Sequence, residues 1–268
     1  VAGYAAIHFK STSSNMARKT TTSTPRRGGS RTSAKKHAAS RGPLRRVLQA
    51  AGWILPGIVV VILIFRFIPP PTSAFIITCQ VERLLDPASG PAVMHEWTPM
   101  RRIPAHMALA VVAAEDQNFP NHFGFDLDAI ARAVKHNKKS QNVRGASTIS
   151  QQTAKNLFLW SGRSYVRKAL EAGLTVLIEL LWSKERILEV YLNIAQFGDG
   201  TYGVGAAAKR FFGKTPAGLT TREAALLASV LPSPDRFSPA RPSSYLRQRA
   251  QWVQTQMRQL GPNHIEWH

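Results

Sequence analysis

Two glutamates and a cluster of amides and amines are the residues of this chain best suited to chemistry. Glu115 ends an uninterrupted apolar run, Met107-Ala-Leu-Ala-Val-Val-Ala-Ala114, and is followed by Asp116. Such a run suits a buried helix, and a carboxylate at its C-terminal end faces the negative end of the helix dipole. Apolar neighbours and the adjacent Asp116 also disfavour ionisation. All three influences push the Glu115 carboxyl upward, toward a proton acceptor that works near neutral pH. A helix end fraying into water would explain the same residue without chemistry. Further on comes Gly145-Ala-Ser147-Thr148-Ile-Ser-Gln151-Gln152-Thr-Ala-Lys155-Asn156. Thr148 with Gln151 three residues later makes a capping box, which accounts for Ser147, Thr148 and Gln151 structurally. Gln152, Lys155 and Asn156 fall outside that account. At i, i+3 and i+4 they share one helical face with no acid nearby. Amide and ammonium donors gathered at a helix start suit an anionic ligand such as a phosphate.

The elements that must position these groups are dominantly helical from Ile103 onward, in a chain of 268 residues that is long enough for a sizeable core. Residues 126–137 read as a helix with Ile130 and Val134 among its core positions, followed by a polar, basic link over 138–144. Ser164 is an N-cap for the next helix, which carries Arg167, Lys168, Glu171 and Glu179. Arg167 and Lys168 stand four and three residues before Glu171, the spacing of ordinary ion pairs. Glu171 leads into an apolar run and is expected to be only partly solvated. Glu179 lies inside that run and needs a partner, expected to be a structural ion pair. A helix over 183–193 ends in the glycine-rich stretch 197–205, which has no strand before it and does not match a dinucleotide-binding fingerprint. Thr220 and Glu223 form a second capping box. The last helix, 245–260, reads as peripheral.

Charge divides the chain. The net charge is +20, and residues 1–49 hold 11 Lys and Arg with no Asp or Glu, leaving 24 basic against 15 acidic residues elsewhere. Residues 1–46 are rich in Ser, Thr, Arg and Lys and read as a disordered basic cytoplasmic tail, with Met16 an alternative start. Residues 47–68 are largely apolar with Arg66 the only charge, about 20 residues as a hydrocarbon core requires. Trp53 suits one interface and Arg66 can snorkel to the other. Pro69-Pro70-Pro71 stops the helix, and no small-residue cleavage site follows it. The positive-inside rule then places the tail inside and everything after Pro69 across the membrane. Residues 69–102 form a connecting, membrane-proximal region, in which 74–79 is a short strand or a surface-lying segment. The single cysteine, Cys79, excludes an internal disulfide framework.

Five ordered blocks carry a resemblance. They are Glu115-Asp116-x-x-Phe119-x-x-His122-x-Gly124-x-Asp126; Gly145-x-Ser147-Thr148-Ile149-x-Gln151-Gln152-x-x-Lys155-Asn156; Arg167-Lys168-x-x-Glu171, with Arg163 just before it; Ile187-Leu188-Glu189-x-Tyr191-Leu192-Asn193 with the glycines that follow; and Glu223-Ala-Ala-Leu-Leu-Ala228 before Leu231-Pro232. In this order and spacing, residues 103–234 resemble the peptidoglycan glycosyltransferases of the family-51 type. The likeness is nearest to the monofunctional biosynthetic members of Gram-negative bacteria, since no room follows for a transpeptidase domain.

The resemblance implies a mainly α, lysozyme-like two-lobed helical glycosyltransferase domain over 103–262, preceded by one transmembrane helix. It implies a single-pass protein of the bacterial inner membrane with a cytoplasmic N-terminus and a periplasmic catalytic domain. The implied activity is polymerisation of lipid II into β-1,4 glycan strands by inverting displacement of undecaprenyl pyrophosphate. On that likeness Glu115 is the general base, and Glu171 orients cations or a divalent metal near the pyrophosphate. Lys155, Arg163 and Lys168 stabilise the leaving charge. Asp116, Phe119, Ser147, Gln151, Gln152 and Asn156 line the substrate site. No tightly bound cofactor is expected, with magnesium or manganese an option beside Glu171. The expected partners are lipid II, the growing strand, the bilayer and other wall-synthesis or division proteins, with no specific nucleic acid. A lysozyme-like lytic or hydrolytic enzyme acting on peptidoglycan stands as the alternative reading, and a membrane-anchored scaffold as a further one.

Overall fold

The structure is a computed structural model that describes residues 42–140, 145–162 and 164–265, with side chains from residue 52 onward. The expectations for the tail before Gly42, for Arg163 and for most of the basic link after Ser140 lie outside the described residues.

Helix α1, Gly42–Phe67, is followed by α2, Ala74–Leu85. The β-branched run in α2 does not make a strand as one reading expected. Ser73 caps it as a helix, its Oγ accepting the Ile76 N–H at 3.2 Å. The centre of the fold is α3, Ala105–Glu115, in which Met107, Leu109, Val111 and Val112 are buried. A helix apolar on every side is stable only when surrounded, and α9, Thr221–Val230, and α10, Ser244–Leu260, pack against it. A second group forms around α5, Ile149–Phe158, which packs on α6, Tyr165–Leu181, and on α7, Lys184–Ile194. One continuous apolar core joins both groups. Helix α4, Leu127–Asn137, contributes no buried residue to it; Val134 is half exposed and Ile130 only partly covered, which corrects the core positions expected there.

The glycine-rich stretch overlaps β2, Gln196–Gly198, and holds β3, Thr201–Tyr202, paired antiparallel, with β1, Met94–His95, added parallel on the far side of β3. Gly203 then starts α8, Val204–Phe212, at φ +83°, where a Cβ would lie 2.7 Å from the Asn193 carbonyl oxygen. Only glycine fits there.

Gly124 has a similar constraint near the start of α5. Its φ is +79°, and a Cβ would meet Thr175 Cγ2 at 2.8 Å and Glu179 Cγ at 3.1 Å. Its carbonyl also accepts the Thr148 Oγ1 hydrogen at 2.7 Å, tying this turn to the α5 cap. Gly124→Ala is expected to cost about 1–3 kcal/mol, a fall in Tm of several degrees. A thermal melt followed by circular dichroism checks it; an unchanged Tm would show that the turn relaxes freely.

Candidate active site

The two ends that matter are fastened together by Asp116. This residue stops α3 and turns its carboxylate away from solvent: Oδ2 accepts the Ile149 N–H at 2.9 Å, the first amide of α5, and His122 Nε2 donates to both oxygens at 2.9–3.0 Å. A carboxylate at a helix N-terminus satisfies an otherwise unpaired amide and faces the positive end of the dipole. The C-terminus of α3 and the N-terminus of α5 are therefore held as one corner. The capping box closes the same corner, with Thr148 N donating to Gln151 Oε1 at 3.1 Å and Gln151 N donating to Thr148 Oγ1 at 3.2 Å. Gln151 is 5% exposed.

This corner brings Gln152 to Glu115. Gln152 Nε2 donates to Glu115 Oε2 at 2.8 Å, and the buried Tyr191 hydroxyl of α7 donates to Gln152 Oε1 at 3.2 Å. The face that looked free of acids in the sequence thus has one across the fold. Burial is the main influence raising the Glu115 carboxyl above its ordinary value, and the Asp116 charge adds to it. The Gln152 hydrogen bond, Arg249 and Lys155 pull the other way. Arg249 sits on α10, donates through Nη2 to the Ala114 carbonyl at 3.2 Å, and lies 4.5 Å over the Trp252 ring. Helix α10 is therefore not peripheral as the sequence suggested; it lends Arg249 and Trp252 to the wall beside Glu115.

The cleft runs along both sides of Gln152. On one side a cavity of about 550 Å³ is lined by Glu115, Asp116, Arg132, Ser147, Arg249 and Trp252 among others. On the other, a cavity of about 210 Å³ is lined by Phe75, Lys155, Asn156, Tyr191, Tyr202 and Asp235, again with Gln152. Asn156 is 9% exposed, and its Oδ1 is a buried acceptor with no hydrogen-bond partner among the described residues. Lys155 Nζ lies 5.5 Å over the Phe75 ring. Its ammonium is lowered from the usual lysine range, chiefly by burial, with Arg167 and Lys168 adding to that and Glu171 and Glu115 opposing it. Phe119 is fully buried under the site, its ring 4.6 Å from Lys184 Nζ, so it supports the corner from beneath.

Glu171 is 2% exposed, more deeply set than the sequence suggested. Arg167 Nη1 donates to one carboxylate oxygen at 3.1 Å and Lys168 Nζ donates to the other. Lys168 also reaches Ser147 Oγ at 3.5 Å, and its side chain is half exposed. The carboxylate thus holds two cations at the edge of the Lys155 region. Among the described residues no group of three His, Cys, Asp or Glu side chains is placed to hold a metal ion. With both Glu171 oxygens engaged by Arg167 and Lys168, these residues do not fit a protein-ligated divalent cation. Glu179 has the partner expected of it: Lys184 Nζ at 2.8 Å, together with Ser150 Oγ at 2.5 Å.

Sequence reasoning missed Arg249, Trp252, Tyr191 as an orienting group, and Arg132. Tyr191 had a usable signal, since a phenol on the apolar face of a helix needs a partner when buried. Tyr191→Phe removes the donor to Gln152, freeing the amide to turn from Glu115. Because that amide holds the Glu115 carboxyl down, its loss raises the carboxyl further, and the acid limb of the pH–rate profile is expected to move to higher pH. Rates measured across pH check this; an unmoved limb with an equal loss at every pH would refute the orienting role.

Comparison with known proteins gives a consistent result. A family model described as Transglycosylase matches residues 83–258. The biosynthetic peptidoglycan transglycosylase of Pectobacterium carotovorum is 54% identical over 219 residues, covering 81% of this chain and 88% of that protein. The protein of the same name from Pseudomonas savastanoi is 50% identical over 218 residues, covering 81% and 92%. That from Shewanella oneidensis is 53% identical over 201 residues, covering 75% and 84%.

Proposed function

The chain belongs to the transglycosylase family, and from this we propose that its cleft polymerises lipid II into β-1,4-linked glycan by an inverting displacement at the donor's anomeric carbon. The protein is a peptidoglycan transglycosylase. Glu115 takes the proton of the acceptor hydroxyl as its oxygen attacks the anomeric carbon. The bond from that carbon to the lipid pyrophosphate breaks, and the electron pair leaves with the pyrophosphate. Lys155 and Lys168, with Arg163, balance the charge that builds there. Gln152 keeps the basic oxygen of Glu115 oriented, and Asn156 and Ser147, which line the two cavities, serve the sugar-binding surface. Asp116, Phe119 and Gln151 act through the corner they build. Helix groups α3, α9, α10 and α5, α6, α7 supply the two lobes of a lysozyme-like cleft.

One observation carries the transferase reading over the lytic one. A carboxylate-pair hydrolase needs two carboxyl groups free to face the glycosidic bond, whereas both oxygens of Glu171 are engaged by Arg167 and Lys168. A base on one side and cations on the other suit a leaving group that is already a weak base.

The protein is further proposed to be anchored in the inner membrane by residues 47–68, with the catalytic domain in the periplasm. Among the described residues no helix is long and apolar enough to cross a membrane, and the side chains of residues 42–51 lie outside that description. Support comes from the apolar run itself and from the outer face of α1, where Trp53, Ile54, Leu55, Val60 and Phe67 are each more than half exposed. Exposure of that kind calls for a lipid surround. Purified full-length chain incubated with labelled lipid II in detergent should yield polymer on a gel. Cleavage of preformed glycan without polymer would favour the lytic reading.

A further inference from the structure

The C-terminal turn of α1 is fastened to the catalytic domain by more than apolar contact. The last carbonyls of a helix lack intrahelical partners. Here Arg186 of α7 supplies them, with Nε and Nη2 donating to Phe65 O at 3.0 and 2.7 Å and Nη2 to Ile68 O at 2.9 Å. Arg186 Nη1 is held by Glu189 Oε2 at 2.5 Å, and Glu189 Oε1 accepts the Met100 N–H at 2.9 Å. The guanidinium lies 5.4 Å over the Trp97 ring. The exchange is reciprocal. Arg66 of α1 donates to Leu181 O at the end of α6 at 2.5 Å, and Trp182 Nε1 donates to Ile62 O at 2.7 Å. Phe65 stacks on Phe158, ring centroids 6.3 Å apart, at the end of the helix that carries Gln152 and Lys155.

We propose that Arg186 is a positioning residue that makes α1 a rigid strut and so fixes the height of the cleft above the bilayer. A flexible tether would anchor the domain equally well, but it would let the cleft wander relative to a substrate whose pyrophosphate stays at the interface. Fixing that height removes one search from each encounter. The proposal rests on the reading of residues 47–68 as a membrane span. Only a planar fork can serve two carbonyls and a carboxylate together, so lysine is a poor substitute.

The test uses full-length chain in phosphatidylethanolamine–phosphatidylglycerol vesicles with long-chain lipid II in the same bilayer. A short-chain, water-soluble lipid II analogue given to the enzyme in detergent is the reference, and rates are normalised to folded protein by circular dichroism. Arg186→Gln is expected to lose about tenfold in rate on the vesicle substrate, and about twofold or less on the soluble analogue. Arg186→Lys should recover only part of the loss. Equal loss on both substrates would mean a merely structural role and overturn the proposal, as would no loss on either. Should Arg186→Gln fail to fold, Arg66→Gln removes the reciprocal bond and must show the same selective loss. Failure of the wild type to float with the vesicles would instead overturn the span on which the proposal rests.

Discussion

Glu115→Gln should abolish polymer formation while leaving a protein at least as stable as the wild type at neutral pH. The substitution keeps the shape and an oxygen to accept the Gln152 amide at the 2.8 Å contact, but removes the proton acceptor. A positioned general base contributes about 10²–10⁴ in rate, so the loss in kcat should be about a thousandfold, with KM little changed. Stability follows from the direction of the titration. Burial raises the folded-state carboxyl above its unfolded value, so the stabilisation linked to its proton is fully present in acid and is lost as pH rises through the folded value. The glutamine has no such loss. Melting temperatures at pH 4 and pH 8 should show the variant drawing ahead of the wild type as pH rises. A variant less stable at pH 8 would refute the burial argument, and one that polymerises at close to the wild-type rate would refute the assignment of the base.

Lys155→Met is expected to have the next largest effect, from the opposite side of the reaction. Removing one group that stabilises developing charge costs about 10²–10³ in kcat. The loss should fall on kcat more than on KM, because pyrophosphate gains charge only as the bond breaks. The lowered Lys155 ammonium adds a pH signature: the wild-type rate should decline on the alkaline side below the usual lysine range. Lys155→Arg cannot titrate there, so its alkaline limb should move to higher pH even if its maximal rate is reduced. An alkaline limb identical in both proteins would place that ionisation elsewhere.

The parts of the site legible in the sequence were those whose causes are local. Glu115 at the end of an apolar run and the Thr148–Gln151 box each follow from a dozen neighbouring residues, and both stand in the structure as read. Glu179 inside an apolar stretch announced the need for the partner that Lys184 supplies. What escaped depends on contacts made across the fold. Arg249 meets the Ala114 carbonyl from α10, and nothing in the polar, weakly apolar pattern of α10 marks one arginine among its several. Tyr191 reads as core until Gln152 is brought beside it. The strand option for 74–79 fails because Ser73 caps the segment as a helix despite its β-branched residues. Helix α4 was given core residues on periodicity alone, whereas it lies at the edge with Leu127 and Val134 turned outward. Periodicity reports which face is apolar, and tertiary structure decides what covers it.

The position of Gln152 between two adjoining cavities has a consequence for chemical biology. Because Gln152 lines both the larger and the smaller chamber, a fragment lodged in either one ends within reach of the same side chain. Two weak binders, one shaped for each chamber, can be joined by a short linker running past that amide, and the second half then binds as an intramolecular event. Gln152 is the side chain shared by both chambers, so the linker runs past it. That makes this cleft suited to bivalent inhibitors assembled from small, soluble pieces, without the long lipid that the natural donor carries.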